Sequence, residues 1–198
     1  MEGAVPGSSG PVEASAEVLA RLGRGDVAAL EELFATYGER VFRVCQGILG
    51  NRADAEDATQ EVFLRAFEQA NSFSGKSRYS SWLLKLTVNH TLNLAKVVRR
   101  HQGATLSSVA AETIPGTDSP VRDAMGRERS DVLARLLMEL PVDRRQVLVL
   151  REMEGLSYAD IAEVLQVPVG TVTSRLIRGR QQLRTLLRER APNLLESG

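Results

Sequence analysis

The sequence predicts an all-α protein of two helical domains joined by a flexible linker, the C-terminal domain containing a helix-turn-helix. Apolar residues recur at helical spacing through most of the chain, and no segment alternates with the two-residue period of a strand. One central stretch loses this periodicity and gathers Ser, Thr, Gly and Pro. The predicted layout is a disordered N-terminus 1–14, a first domain 15–100, a linker 101–126, a second domain 127–190 and a tail 191–198.

Composition excludes several classes of protein. The 198 residues are 43% hydrophobic and 25% charged, a balance that allows a folded core. The single cysteine, Cys45, cannot form an internal disulfide, and two histidines, His90 and His101, argue against a structural zinc site. No apolar run reaches the roughly 20 residues of a membrane span, and no signal peptide is visible. We therefore expect a cytoplasmic protein without a membrane span, metal or cofactor.

The first long helix is predicted from its cap and its apolar stripe. Asp26 is placed to cap a helix that runs to about Leu49. The stripe, which predicts a buried face, contains Leu30, Leu33, Phe34, Tyr37, Val41, Val44, Cys45 and Ile48.

An acidic ridge marks the next helix, predicted from Asp54 to about Ala70. Asp57, Glu61 and Glu68 share one side of it, with Leu64 beside them. Such a ridge repels DNA and suits a basic protein surface. From this helix alone, a solvated acidic face explains the pattern equally well.

A polar stripe runs along the otherwise apolar helix that follows Ser80. A loop, 71–77, precedes this helix and offers one aromatic residue, one basic residue and small polar groups. The bases of single-stranded DNA can stack on such a surface and form hydrogen bonds with it, and its basic residues can neutralise the backbone phosphates. The alternative is a solvated face with Trp82 as a core anchor. His90 faces the apolar sector and is expected to be a satisfied core histidine rather than a ligand. The stripe contains Trp82, Lys85, Asn89, Asn93, Lys96 and Arg100.

The C-terminal helix pair has the pattern of a helix-turn-helix. A capping box, Ser157 to Asp160, opens a short helix, and a second helix is predicted over 170–188. Gln166 stands in the turn where many such motifs have glycine, and Gly179 permits a close helix crossing. No acid occurs between 164 and 188, which favours DNA binding over a solvated arginine face. The outward side holds Thr171, Ser174, Arg178 and Gln181, with Arg175 at its border.

Together these segments resemble the extracytoplasmic-function sigma factors of the sigma-70 class. The order and spacing of short matches on either side of the linker carry the resemblance. In the first domain they are Gly25-Asp26, the segment from Ala29 to Leu33, Asp54-Ala-Glu-Asp57, Gln60-Glu-Val-Phe63, Trp82-Leu83 and Asn89. In the second they are Leu140-Pro141, the segment from Leu150 to Tyr158, Ile161-Ala162, and Val169-Gly-Thr-Val172 with Ser174-Arg175.

The resemblance implies a transcription initiation factor that is not an enzyme. It would bind core RNA polymerase, read the −35 element as duplex and melt the −10 element. The implied partners are the β′ clamp coiled coil, the β subunit flap, promoter DNA in duplex and single-stranded form, and an anti-sigma factor. The alternative is a two-domain helix-turn-helix transcriptional regulator whose N-terminal domain senses a ligand or dimerises. No Gly-rich phosphate loop and no nucleophile paired with a histidine supports an enzyme.

The resemblance also implies three sets of site residues. The core-polymerase set is Asp54, Asp57, Gln60, Glu61 and Leu64. The −10 set is Phe73, Ser74, Gly75, Lys76, Ser77, Arg78, Trp82, Lys85, Asn89, Asn93, Lys96 and Arg100. The −35 set is Thr171, Thr173, Ser174, Arg175, Arg178 and Gln181. Asn93 replaces a common Asp and Thr173 a common basic residue, so promoter preferences do not transfer.

Overall fold

The computed structural model describes residues 13–102 and 132–192, and every regular element in these ranges is helical. This confirms the predicted all-α class. Almost all of the predicted N-terminal segment and linker, and most of the tail, lie outside the described residues. None of the described helices is long and apolar enough to cross a membrane.

The N-terminal domain begins each of its first three helices at a side-chain cap. Ser15, Asp26 and Asn51 each accept a hydrogen bond from a backbone N–H of the first turn. At Gly50, which ends α2, the φ of 82° is one that glycine adopts readily. The helices are α1 (Ala16–Gly23), α2 (Val27–Leu49), α3 (Arg52–Glu68), a short 3₁₀ turn (Ala70–Ser72) and α4 (Tyr79–Gln102).

One face of α2 packs against both α3 and α4 to form the core of this domain. Cys45 is fully buried in it, and burial raises the pKa of its thiol to about 12, so the thiol is an unreactive core group. The predicted apolar stripe of α2 is buried in the main, but the prediction is wrong for Phe34, whose side chain is 46% exposed. Phe34 lies at the edge of the packed face, where the centroid of its ring is 4.9 Å from that of the Phe63 ring.

The C-terminal domain is a set of short helices followed by one long helix. They are α5 (helical over 132–138), α6 (Val142–Leu148) with a π-helical turn (Val149–Met153), α7 (Tyr158–Leu165) and α8 (Val169–Arg190). The capping box of Ser157 and Asp160 is present at the start of α7. A Cβ atom on Gly179 would lie 3.2 Å from Leu148 Cδ1, which confirms the close crossing of α8 and α6.

The two domains also share a buried cluster, which the sequence did not predict. Val44 and Ile48 of α2 join Val88 of α4 in it. The C-terminal domain contributes Val149 and Ile161, among others. The described parts of the chain therefore pack as two helical regions in direct contact.

Candidate functional site

The predicted core-polymerase residues lie together on the solvent side of α3. Their buried neighbours Ala55, Ala58 and Val62 hold the opposite side of this helix in the core. Leu64 is 57% exposed, which is unusual for a leucine flanked by carboxylates. We call this group the α3 face; it contains Asp54, Asp57, Gln60, Glu61 and Leu64, all exposed.

An apolar groove adjoins the α3 face, and the sequence reasoning missed it. Its volume is about 400 Å³, and α2 and α3 form its walls. Gln60 and Leu64 belong to both the groove and the α3 face. The signal that marks the groove is an exposed phenylalanine, Phe34, which periodicity assigned to the core. The lining residues are Leu30, Glu31, Phe34, Ala35, Gln60, Phe63 and Leu64.

His90 links α4 to the α3 face from inside the protein. Its imidazole is buried, as predicted, but the expectation of a satisfied side chain is wrong for Nε2, which lies 3.3 Å from Oε2 of Glu61 without the alignment of a hydrogen bond. Burial lowers the pKa of His90, the Glu61 carboxylate opposes that shift, and Arg65 adds to it. A neutral imidazole therefore lies behind one of the exposed carboxylates.

The polar stripe of α4 becomes more exposed from its N-terminal end to Lys96. Asn89, Asn93 and Lys96 are exposed, whereas Trp82 and Lys85 are half-buried at its N-terminal end. The neighbouring positions Leu83, Leu84 and Val88 are buried, so the helix offers one polar line to solvent. The side chain of Arg100 lies outside the described residues.

The loop before α4 is anchored by aromatic packing. Phe73 is half-buried, with its ring centroid 5.6 Å from those of Tyr79 and Trp82. Tyr79 is buried beneath both rings, 5.4 Å from Trp82. The remaining predicted loop residues, which are Ser74, Gly75, Lys76, Ser77 and Arg78, are all exposed to solvent.

The outer side of α8 carries the predicted −35 residues, and none of them is fully buried. Arg178 and Gln181 are exposed, and Thr171, Thr173, Ser174 and Arg175 are half-buried. Three intrahelical side-chain bonds tie hydroxyls to backbone carbonyls, those of Thr173, Ser174 and Thr185. Of the two arginines among the predicted −35 residues, Arg178 is the exposed one.

Acids from other elements pair with arginines of α8. Arg175 Nε lies 3.5 Å from Oδ2 of Asp143 in α6, and Arg180 is 2.6 Å from Oε1 of Glu152 in the π-helical turn. Residues 164–188 include no acidic residue, but in the folded chain acidic side chains from other elements lie beside arginines of this segment. The exposed Arg180 pair is worth little in water, but both pairs orient their guanidinium groups before any anion binds.

Within the described residues, no group of three or more His, Cys, Asp or Glu side chains is arranged to hold a metal.

The comparisons with known proteins match both domains. The family model for sigma-70 region 2 matches residues 33–102, and that for sigma-70 region 4 matches residues 130–183. The chain is 34% identical over 188 residues to the RNA polymerase sigma-H factor of Pseudomonas aeruginosa, covering 89% of this chain and 97% of that protein. It belongs to the extracytoplasmic-function sigma factors of the sigma-70 family.

Further relatives agree with this membership. The sigma factor SigW of Bacillus subtilis is 32% identical over 177 residues, 84% of this chain and 92% of that protein. Two solved structures, each 22% identical, share the fold. CnrH in complex with the cytosolic domain of CnrY has a TM-score of 0.65 and covers 88% of this chain and 97% of its own. The sigma factor RpoE of Bartonella quintana in complex with the anti-sigma factor NepR has a TM-score of 0.62, with 80% and 96% covered.

This membership favours a sigma factor over the alternative of an ordinary two-domain regulator. The region 2 match covers α3 and α4, which carry the α3 face and the polar stripe. The region 4 match covers the helix-turn-helix of α7 and most of α8.

Proposed function

We propose that this sigma factor binds core polymerase through the α3 face, opens the −10 element with α4 and its preceding loop, and reads the −35 element with α8. The polar stripe of α4 is the observation that carries the proposal. Phosphate contacts alone do not distinguish open from closed DNA, so opening needs groups that prefer unpaired bases. Asn89 and Asn93 present amides to solvent on the same helix that carries Trp82, whose ring packs with that of Phe73.

The energy that these groups can return matches what an extruded base costs. Unstacking and unpairing one base costs a few kcal/mol, and stacking on an aromatic side chain returns about 1–3 kcal/mol. Trp82 is half-buried, so one part of its indole packs on Tyr79 while the rest is open to a base. Phe73 packs inward, so its part is to hold the loop in place while exposed loop groups contact the nucleotide.

The remaining partners follow from family membership. As a partner of polymerase, the chain would act in the cytoplasm, with the C-terminal domain also contacting the β subunit flap. Two solved relatives were determined with CnrY and with the anti-sigma factor NepR, which supports an anti-sigma factor as a partner here.

Reconstituted transcription tests the proposal. Core polymerase with this chain should produce promoter-specific transcript, and Trp82→Ala and Asn89→Ala should lower permanganate reactivity of −10 thymines while leaving closed complexes nearly intact. A premelted bubble should partly restore transcription to both variants. Gln46→Ala, a change at an exposed position of α2, is the control. Normal strand opening in the Trp82→Ala, Asn89→Ala double variant would refute the melting role.

A further inference from the structure

The chain segment that precedes α1 is held against the first turn of α4. Glu13 Oε1 accepts a hydrogen bond of 2.5 Å from the hydroxyl of Ser80, 67 positions further along the chain. Ser80 is the second residue of α4 and is 4% exposed, so its hydroxyl needs a partner within the protein. The exposed side chain of Glu13 supplies that partner.

The same segment also contacts α2. Ala14 packs against the core of the N-terminal domain, and its backbone forms a hydrogen bond with the phenol of Tyr37. Burial raises the pKa of Tyr37, the Glu13 carboxylate adds to this shift, and the hydrogen bond from Ala14 and the charge of Arg40 oppose it. The carboxylate of Glu13 therefore lies near both Tyr37 of α2 and Ser80 of α4.

Ser80 follows the residue at the centre of the aromatic cluster that anchors the loop before α4. The ring centroid of Tyr79 is 5.6 Å from those of Tyr37 and Phe73 and 5.4 Å from that of Trp82. Tyr79 and Ser80 are consecutive residues of one helical turn. A shift of this turn therefore moves the ring on which Phe73 and Trp82 pack.

The negative charge of Glu13 also suits the N-terminus of α4. The first four N–H groups of a helix lack intrahelical acceptors, and the helix dipole favours a negative charge beside them. The first turn of α4 contains no acidic residue, and neither does the loop 71–77 before it. A distant segment of the chain thus provides a carboxylate that helices commonly take from their own first turn.

We propose that Glu13 is a positioning residue for strand opening, which acts through Ser80 to hold the first turn of α4 and the rings of Phe73 and Trp82 in place for an unpaired base. This role rests on the proposed function of α4 and its preceding loop. Glu13 acts on the protein and does not need to touch DNA. Loss of its contact lowers the fraction of chains in which the loop and Trp82 are correctly arranged, and the extent of opening falls by the same factor.

The fluorescence of the free chain tests the structural half of the proposal. Trp82 is the single tryptophan of the sequence, so intrinsic emission reports on this cluster alone. Glu13→Ala should shift the emission of Trp82 to longer wavelength and increase its quenching by acrylamide, because the rings around it loosen. Glu17→Ala, which removes the same charge from an exposed position of α1, is the matched control and should leave both unchanged.

Reconstituted holoenzyme tests the functional half. Glu13→Ala should lower the permanganate reactivity of −10 thymines about fivefold, because it leaves the buried hydroxyl of Ser80 without its acceptor. Binding to core polymerase and closed complexes should be unchanged, and a premelted bubble should restore transcription. Glu13→Gln keeps an oxygen that accepts from Ser80 and should retain most of the opening.

A double-variant cycle separates this contact from a general loss of stability. Ser80→Ala should lower opening about as much as Glu13→Ala. The double variant should lose no more than either single variant, since both changes remove the same interaction.

Four results would overturn the positioning role. They are unchanged quenching in Glu13→Ala, normal opening by that variant, losses that multiply in the double variant, and failure of the premelted bubble to restore transcription. If the parent itself opens no promoter, the proposed function is wrong. The quenching of Trp82 still decides in that case whether Glu13 holds the aromatic cluster in place.

Discussion

At the scale of single residues, the turn between α7 and α8 depends on the backbone of Gln166. Its φ of 55° and ψ of 45° are left-handed, a conformation that costs an ordinary L residue about 1–2 kcal/mol. Its side-chain Nε2 donates to the carbonyl of Glu163 at 2.8 Å, which offsets part of this cost. The turn sets the angle at which α8 leaves α7, and so this conformation helps to present the helix.

We expect Gln166→Gly to raise the free energy of unfolding by about 0.5–1 kcal/mol, as relief of the left-handed strain exceeds the entropy cost of glycine. Urea denaturation measures the difference. Gln181→Gly, at an exposed interior position of α8, is the matched control and should lower stability by about 1 kcal/mol. Equal losses at the two positions would show that the conformation of Gln166 carries no strain.

His90 predicts a pH dependence of stability. Because burial lowers its folded-state pKa below the unfolded value of 6.5, the unfolded chain binds the proton more readily. Stability should therefore fall as the pH drops below 6.5. Glu61 and Arg65 face the imidazole, and replacing His90 alone, as His90→Gln, should flatten the fall in urea midpoints between neutral and mildly acidic pH. His101→Gln is the control. If its urea midpoints fall with decreasing pH as little as those of His90→Gln, His90 is not the group responsible for the pH dependence.

At the scale of elements, the groove between α2 and α3 extends the proposed polymerase surface. Phe34→Ala and Leu64→Ala should each weaken core binding about 5- to 10-fold, since an apolar anchor that fills a pocket belongs to the minority of interface contacts worth more than about 1 kcal/mol. Both side chains are largely exposed, so the fold should survive. Val27→Ala, an exposed apolar position on α2 outside the groove, is the control. Unchanged affinity, measured by fluorescence anisotropy, would exclude the groove from the interface.

The contact between α6 and α8 predicts a competition for Arg175. Asp143→Asn removes the carboxylate 3.5 Å from Arg175 Nε, so the guanidinium should become more available to DNA phosphate. We expect tighter duplex binding. The slope of the logarithm of the binding constant against the logarithm of the salt concentration should become steeper by up to about one. Glu139→Gln, which removes an exposed pair with Arg190, is the charge-matched control. Identical salt slopes in the two variants would place Arg175 outside the DNA contact.

At the scale of the whole molecule, the ion pair of Arg40 and Glu154 couples the stabilities of the two domains. Glu154→Gln leaves a buried guanidinium without its nearest carboxylate and should lower the free energy of unfolding by about 3 kcal/mol. Glu139→Gln should cost at most about 1 kcal/mol, because its pair is exposed. Calorimetry should show one transition in the parent and a broader or divided one in Glu154→Gln. An undivided transition with a small loss would show that the pair does not couple the domains.

Features that depend on near neighbours in the chain could be predicted before any helix was packed against another. The caps at Asp26 and Ser157, the acidic ridge of α3 and the helix-turn-helix follow from periodicity and local hydrogen bonding. The polar stripe of α4 follows in the same way, because the angle between successive residues of a helix is fixed. The short family matches then indicated the sigma factor class.

Contacts between residues that are distant in the chain could not be predicted in this way. The exposure of Phe34, the pairing of Arg175 with Asp143, and the contact of His90 with Glu61 depend on how helices pack. Placement of Arg145 on the end of α2 joins residues 97 positions apart. Periodicity assigns a face to each helix but does not choose its partner, since hydrophobic burial is non-directional and many pairings satisfy it. Packing complementarity at positions such as Gly47 selects among those pairings.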